Sequence, residues 1–205
     1  MYRYFFKNVI DFVVAAVAFI ILLPVFIIVT IVLFISNNGR PFFTQTRPGK
    51  NERLFKVIKF KTMNDKKDAG GNLLPDSKRL TPMGSFVRKT SLDEIPQLLN
   101  IISGSMSLIG PRPLLIKYLP YYTDLERKRF LIKPGITGWA QINGRNTAGW
   151  DLRLGNDVYY VDNMSFGLDM LIVYKTIVNI FSSKNIVVDP SSYMLDLDQE
   201  RKDRI

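Results

Sequence analysis

The hydrophobic positions of this chain are concentrated near its N-terminus. From Phe12 to Ile35, 24 successive residues carry no formal charge, and only Pro24 and Thr30 interrupt the aliphatic and aromatic run. A helix of that length covers about 36 Å at ~1.5 Å per residue, which is enough to cross a bilayer core of roughly 30 Å. The pattern therefore predicts a membrane helix within residues 1–36.

The path of this helix has two interpretations. Positive residues flank both ends, with Arg3 and Lys7 before the run and Arg40 and Arg47 after it, which favours a segment whose two ends face the cytoplasm. Pro24 lies near the middle, where its missing N–H would kink or break a helix. A re-entrant helix-break-helix that enters and leaves one leaflet fits both features. A straight span with a tolerated kink is the alternative.

Shorter patterns follow and predict an α+β fold, mostly helical with a small β-hairpin, for a catalytic domain at residues 37–185. Residues 40–49 and 54–61 alternate well enough to be the two strands of the hairpin. Residues 151–162 and 166–181 have helical patterns. The apolar stripe of the second could pack on the core or lie in the lipid interface, and core packing is the more common outcome. Residues 186–205 are predicted to be a C-terminal tail.

Composition narrows the chemistry. The chain has no cysteine and no histidine, so disulfides, Cys-rich zinc sites and any Ser-His-Asp or Cys-His mechanism are excluded. A nucleophile or general base is then expected among the Asp and Glu residues. Residues 40–90 hold 13 Lys and Arg against 4 Asp and Glu, a basic stretch suited to nucleic acid, anionic lipid or a polyphosphate substrate.

Within this basic protein, Asp93 and Glu94 form an adjacent acidic pair. Ser91 and Glu94 match a capping box, in which the pair would only begin a helix. Pro96 instead favours a helix that starts later and leaves the pair on the preceding turn. An ionised carboxylate could also attack phosphorus or bind Mg²⁺, so capping and catalysis both stay open.

Two downstream arginines lie in stiff or tightly turned segments. Arg112 stands between Pro111 and Pro113, and Arg145 follows the tight-turn pair Asn143-Gly144. A guanidinium held rigidly is a good phosphate ligand, because its planar fork is already oriented. The alternative in each case is an ordinary turn with an exposed arginine.

Five segments occur in a fixed order behind the apolar run. They are Lys59-Phe60-Lys61-Thr62-Met63, Ser91-Leu92-Asp93-Glu94-Ile95-Pro96-Gln97, Gly110-Pro111-Arg112-Pro113, Pro134-Gly135-Ile136-Thr137-Gly138 and Asn143-Gly144-Arg145. With this ordered set, roughly residues 1–185 resemble the bacterial sugar transferase family. The closer resemblance is to the small monotopic polyprenol-phosphate phosphoglycosyl transferases.

The resemblance implies transfer of a phospho-sugar from a UDP-sugar to undecaprenyl phosphate with release of UMP, at the cytoplasmic face of the bacterial inner membrane. By match, Asp93 would be the nucleophile that forms a covalent phosphosugar intermediate, and Asp93 and Glu94 would hold Mg²⁺. The other matched positions are expected to bind substrate. These are Lys59, Arg88, Pro111, Arg112, Pro113, Arg145, Asp157 and Asp169.

The resemblance also implies a re-entrant membrane helix broken at Pro24 and amphipathic interfacial helices in contact with membrane lipids. Small relatives often have Ser before that proline, whereas this chain has Leu23. A membrane-anchored scaffold, with the acidic pair as a helix cap, is the competing hypothesis. Nucleic-acid binding is third, because the membrane segment argues against it.

Overall fold

The computed structural model describes residues 1–144, 149–181 and 195–202. A π-helical turn, Tyr2–Phe6, leads into helix α1, Lys7–Ser36. By length and composition this helical segment could cross a membrane, with a mean hydropathy of 3.3 in its most apolar window. The helix runs through Pro24 without a non-helical segment, so the predicted break is not seen, and the re-entrant path stays a prediction.

One face of α1 packs on the rest of the protein and the other is open. Ala15 and Leu33 are fully buried, whereas Ile20, Ile28 and Ile35 are each more than 60% exposed. An open aliphatic face of this length is unfavourable in water, because burying apolar surface is the main favourable contribution to folding. The helix therefore indicates membrane association.

Polar contacts attach both ends of α1 to the rest of the protein. Near its start, Lys7 Nζ lies 2.9 Å from a carboxylate oxygen of Asp169, and Asp11 accepts a 2.5 Å hydrogen bond from Ser107 Oγ. Just past its end, Asn37 Nδ2 donates to the Lys61 carbonyl at 2.7 Å. The two ends of the apolar helix thus lie on one body of protein.

The predicted hairpin is confirmed. Strands β1, Phe42–Pro48, and β2, Leu54–Phe60, pair antiparallel along their full lengths. Phe26 of α1 packs against the rings of Phe42 and Phe60, with centroids 5.8 and 5.2 Å away. The hairpin is therefore attached to the second half of the membrane helix.

Three short helices follow, α2 at Asp76–Arg79, α3 at Pro82–Lys89 and α4 at Gln97–Ile102. Buried Asn100 attaches α4 to β2, since its side-chain oxygen accepts from Ile58 N at 3.0 Å and its amide donates to Lys56 O at 2.8 Å. The turn between α3 and α4 is thereby held over the hairpin.

The remaining elements confirm a mostly helical α+β fold. A second, parallel two-stranded sheet, which the sequence patterns did not indicate, joins β3, Ser107–Ile109, to β4, Gly135–Thr137. Two 3₁₀ segments, Ile116–Tyr121 and Glu126–Leu131, lie between these strands. Four helices complete the described chain: α5 at Trp139–Ile142, α6 at Trp150–Asn163, α7 at Phe166–Phe181 and α8 at Leu197–Glu200.

Most of the apolar stripe of α7 faces away from the core, although Leu168 packs against it. Leu171, Tyr174, Ile177 and Val178 are 40 to 65% exposed, while the buried side of the helix carries Ile172. Core packing is therefore wrong for these four residues, and the amphipathic pattern leaves an outward apolar face.

The C-terminal segment 195–202 packs against the domain. Leu197 is fully buried, and Trp150 Nε1 donates to the Leu195 carbonyl at 2.9 Å. Arg201 is also buried and makes two 2.7 Å hydrogen bonds to the carboxylate of Glu126. The described part of the predicted tail therefore packs across the 3₁₀ segments and the start of α6.

Candidate active site

The acidic pair lies on a single 3₁₀ turn, Leu92–Glu94, between α3 and α4. Ser91 precedes it with φ of 57°, in the left-handed region, and its side chain makes no capping hydrogen bond. The capping-box interpretation is therefore wrong. Helix α4 begins only after Pro96, as the later-start alternative predicted.

Glu94 holds two of the expected cations. Lys59 Nζ from β2 lies 2.7 Å from Glu94 Oε1, and Arg112 Nη2 lies 2.8 Å from the same oxygen. Burial opposes the charged form, but Arg112 and Lys59 together hold the pKa of Glu94 well below its usual range. The ionised form of Glu94 is therefore favoured, and its Oε1 contacts both cations.

Asp93 has a different environment. Its nearest cation among the described residues is Lys59, 3.8 Å from Oδ2, beyond hydrogen-bonding distance. Burial raises the pKa of Asp93; Lys59 opposes that effect, and the neighbouring charge of Glu94 adds to it. The two adjacent carboxylates therefore differ. Glu94 pairs closely with two cations, whereas Asp93 is more basic and is less constrained by contacts.

Arg88 approaches Asp93 from α3. Its Nε donates to Thr62 Oγ1 at 3.0 Å, and its charge stabilises the ionised form of Asp93. Helix α3 lies very close to the chain at this point, because a Cβ added at Gly84 would be 1.9 Å from the Thr62 carbonyl oxygen. The glycine permits the approach that brings Arg88 to the site.

The parallel sheet joins two of the sequence motifs. Gly110 N donates to Thr137 O at 2.9 Å, and Gly135 N donates to Pro111 O at 3.0 Å. Pro111 is buried, and Pro113 lines a small cleft with Arg112. The loop that carries Arg112 is therefore fixed on one side by β4.

Buried Arg129, which sequence reasoning missed, fixes the other side. Its Nη2 donates to the Arg112 carbonyl at 2.6 Å and lies 3.0 Å from Asp157 Oδ2, while Nη1 donates to Tyr122 OH at 2.8 Å. Arg129 stands in a run of charged residues, 126–129, and nothing local to the sequence marks it as the buried one.

Asp157 and Asp169 lie in two separate networks of buried contacts. Asp157 is buried on α6 against Arg129. Asp169, 1% exposed on α7, accepts hydrogen bonds from Tyr2, Lys7 and Tyr160. Their assignment to substrate binding stays a prediction, and these contacts favour a structural role instead.

Of the predicted site residues, Asp93, Glu94, Lys59, Arg88 and Arg112 come together. Arg145 lies outside the described residues, and the preceding Asn143-Gly144 closes the described segment in a turn.

The expected Mg²⁺ would have only Asp93 and Glu94 as protein ligands. Among the described residues, no group of three or more acidic, His or Cys side chains could enclose a metal ion. Mg²⁺ commonly uses only one or two carboxylates together with water and substrate phosphates. Asp93 and Glu94 meet that lower requirement.

The fold and the site define a membrane-associated protein with a cation-lined acidic centre. A family model described as Bacterial sugar transferase matches residues 2–183. The chain belongs to the bacterial sugar transferase family.

Three relatives illustrate the similarity. A Bacillus subtilis protein, "Uncharacterized sugar transferase EpsL", is 49% identical over 84% of this chain and 86% of its own length. "Exopolysaccharide production protein ExoY" of Sinorhizobium fredii is 38% identical, with 83% of each protein covered. "UDP-glucose:undecaprenyl-phosphate glucose-1-phosphate transferase" of Xanthomonas campestris pv. campestris is 36% identical over 85% of this chain but only 38% of its own length.

Proposed function

We propose that this enzyme is a polyprenol-phosphate phosphoglycosyl transferase that moves a phospho-sugar from a UDP-sugar to undecaprenyl phosphate and releases UMP. The relative from Xanthomonas carries both substrates in its name. The observation that carries the proposal is the arrangement of charges on the acidic turn. There Glu94 pairs with Lys59 and Arg112, and Asp93 lies beside them with fewer contacts.

The reaction has two displacements. In the first, an Asp93 carboxylate oxygen forms a bond to the sugar-bearing phosphorus of the UDP-sugar, and the bond from that phosphorus to the UMP oxygen breaks. In the second, a phosphate oxygen of the lipid attacks the same phosphorus. The bond to Asp93 then breaks, which regenerates the carboxylate and yields polyprenyl-diphosphate sugar.

The surrounding charges suit this role for Asp93. A raised pKa gives Asp93 more basicity than an ordinary aspartate, and the neighbouring cations stabilise charge on the phosphoryl oxygens. Glu94 keeps Lys59 and Arg112 in place while substrate binds. Asp93 and Glu94 would hold Mg²⁺, which would further neutralise phosphate charge.

A re-entrant α1 supports access to both substrates. Because Lys7 and Asn37, at opposite ends of α1, contact the same domain, we infer that both ends lie on one side of the membrane, the cytoplasmic side of the inner membrane. The site would then lie at the interface, where a soluble nucleotide-sugar and a lipid phosphate can both arrive.

The nucleophile is tested by Asp93→Asn. We expect loss of UMP release from UDP-sugars, and loss of the sugar label that the wild-type protein retains when acceptor is omitted. Asp124→Asn, an exposed substitution of the same kind, is the matched control and should behave as wild type. Label retained on the Asp93→Asn protein would place the covalent bond elsewhere.

The membrane path is tested by labelling, which the absence of native cysteine makes simple. Tyr4→Cys and Arg40→Cys place single thiols at exposed positions on opposite sides of the apolar run. A membrane-impermeant maleimide should label both in inverted vesicles and neither in right-side-out vesicles. Labelling of one thiol from each side would establish a straight span instead.

A further inference from the structure

Thr62 belongs to the first of the five ordered sequence segments, and the proposed mechanism gives it no part. It is only 5% exposed, and its Oγ1 accepts a 3.0 Å hydrogen bond from Nε of Arg88. Lys59 and Arg112 are held by the charged Glu94, whereas this contact to Arg88 comes from a neutral hydroxyl. Such a contact orients a guanidinium without neutralising its charge.

The backbone of Thr62 is held on both sides. The carbonyl of the preceding Lys61 accepts a 2.7 Å hydrogen bond from Asn37 Nδ2, just past the end of α1. Two residues further on, Asn64 N donates to the Arg79 carbonyl at 2.9 Å. A β-branched side chain such as that of threonine also has few alternative rotamers. The Thr62 hydroxyl is therefore an acceptor with a fixed position and direction.

The backbone and the side chain of Arg88 both lead to the acidic turn. The Arg88 carbonyl accepts from Ser91 N at 3.0 Å, immediately before that turn begins. The Arg88 side chain contacts Thr62, which follows β2 and lies three residues after Lys59. Lys59 Nζ in turn lies 2.7 Å from Glu94. Arg88 is thus held between the acidic turn and the strand whose lysine contacts that turn.

The contact with Thr62 also restricts how the Arg88 guanidinium can meet an anion. A guanidinium makes a two-point contact with phosphate oxygens through its Nε–Nη2 edge or its Nη1–Nη2 edge. Nε carries a single hydrogen, and Arg88 donates it to Thr62. A two-point contact between Arg88 and a phosphate must therefore use the Nη1–Nη2 edge.

We infer that Thr62 is a positioning residue for the proposed reaction, whose hydroxyl holds Arg88 so that its Nη1–Nη2 edge meets the diphosphate of the UDP-sugar. The inference rests on the proposed function and on the expected role of Arg88 as a substrate ligand. Thr62 touches no substrate and acts only through Arg88.

The test compares Thr62→Val, which keeps the branched shape but removes the acceptor, with Thr62→Ser, which keeps the acceptor. The kcat and KM for the UDP-sugar are measured from UMP release. Loss of a hydrogen bond to a charged group should lower the kcat/KM of Thr62→Val by about 10- to 100-fold. Thr62→Ser should recover most of this loss. An unchanged kcat/KM in Thr62→Val would overturn the inference.

Thr81→Val is the matched control for a purely structural effect. Thr81 is the N-cap of α3, and its Oγ1 accepts from Gly84 N at 2.9 Å. Removing this cap should lower the unfolding temperature and loosen the helix that carries Arg88, but it leaves the acceptor of Arg88 in place. We expect a kcat/KM close to that of the wild type. An equal loss in Thr81→Val and Thr62→Val would mean that both act by loosening α3, which contradicts the inference.

A double-mutant cycle with Arg88→Met tests whether Thr62 acts through Arg88. Substitutions that remove the same interaction are not additive. Arg88→Met should lower kcat/KM at least as much as Thr62→Val does, and adding Thr62→Val to it should cause little further loss. If the two losses multiply in the double variant, Thr62 acts by another route and the inference is wrong.

Failure of the proposed function has its own signature. If the wild-type protein releases no UMP from any UDP-sugar, the proposed function fails, and the variants are then compared by calorimetry with inorganic pyrophosphate. The same measurement replaces kinetics if turnover by Arg88→Met is too slow to follow. Weaker binding by Thr62→Val than by Thr81→Val, with no further weakening in the Arg88→Met background, supports the positioning role. Equal binding by Thr62→Val and Thr81→Val, or no binding by the wild type, rejects it.

Discussion

The buried pair of Asp157 and Arg129 offers the sharpest separation of structure from catalysis. The two side chains are only 6% and 2% exposed, with 3.0 Å between Oδ2 and Nη2. Asp157→Asn keeps the shape but leaves the Arg129 charge unpaired, which costs about 3 to 5 kcal/mol in comparable buried pairs. At roughly 2 to 4 °C per kcal/mol for a chain of this size, the unfolding temperature should fall by about 6 to 20 °C.

The matched control lies on the same helix. Asp162 pairs with Lys128 at 2.9 Å, but these side chains are 47% and 40% exposed. Surface pairs contribute about 0 to 1 kcal/mol, so Asp162→Asn should lower the unfolding temperature by no more than about 4 °C. Both variants are measured by circular dichroism in one detergent at one protein concentration.

The Asp157→Asn substitution should also affect catalysis, independently of its effect on stability, because Arg129 donates to the Arg112 carbonyl. Asp157→Asn is expected to raise the KM for UDP-sugar. The double variant Arg129→Met, Asp157→Leu should recover most of the stability, since apolar residues often replace buried ion pairs without loss. It should not recover KM, because nothing then holds the carbonyl. An Asp157→Asn protein as stable as the control, or recovery of KM in the double variant, would refute this reasoning.

Three further predictions concern the same framework. Glu94→Gln removes a negative charge next to Asp93 and frees Lys59 and Arg112 to move toward it, and each of these changes lowers the pKa of Asp93. The acid limb of the pH profile of UMP release should therefore move to lower pH, while the maximal rate falls. Arg201→Met leaves Glu126 buried without its partner and should cost about 3 kcal/mol. Arg201 lowers the pKa of Glu126, although burial opposes it, so this cost should be complete above pH 4.5 and shrink as pH falls below it, as measured by denaturation at several pH values. Gly84→Ala, ordinarily favourable in a helix, should destabilise by about 1 to 3 kcal/mol in the same denaturation assay, because the new Cβ would lie 1.9 Å from a carbonyl oxygen.

The sequence predicted those parts of the fold that depend on local patterns. The apolar run, the hairpin and the two long C-terminal helices each have a period that neighbouring residues define. The β3–β4 sheet could not be predicted in that way, since each strand has only three residues and they pair across a long intervening segment. Its motifs, Gly110-Pro111 and Pro134-Gly135, have the composition of turns.

The residues of the site were predicted mainly from the order of the motifs. The different environments of Asp93 and Glu94 could be seen only in the structure. Spacing placed Asp93 and Glu94 on a helix start, but it did not distinguish the two carboxylates. The difference arises because Lys59 and Arg112, which are distant in sequence, both converge on Glu94. Arg129 was missed for a related reason: whether an arginine in a charged run is buried depends on tertiary packing.

The sequence grouped Asp157 and Asp169 with the substrate-binding residues. In the structure, the contacts of both residues bear on how the proposed reaction site is positioned. Asp157 acts through Arg129 on the loop of Arg112, and Asp169 binds Lys7 at the start of the membrane helix. The first contact fixes Arg112, an expected phosphate ligand, relative to the acidic turn, and the second fixes the domain relative to α1. An acceptor confined to the bilayer reaches only a limited height above it. For the proposed reaction, we therefore expect the contact between Asp169 and Lys7 to help bring Asp93 within reach of the lipid phosphate.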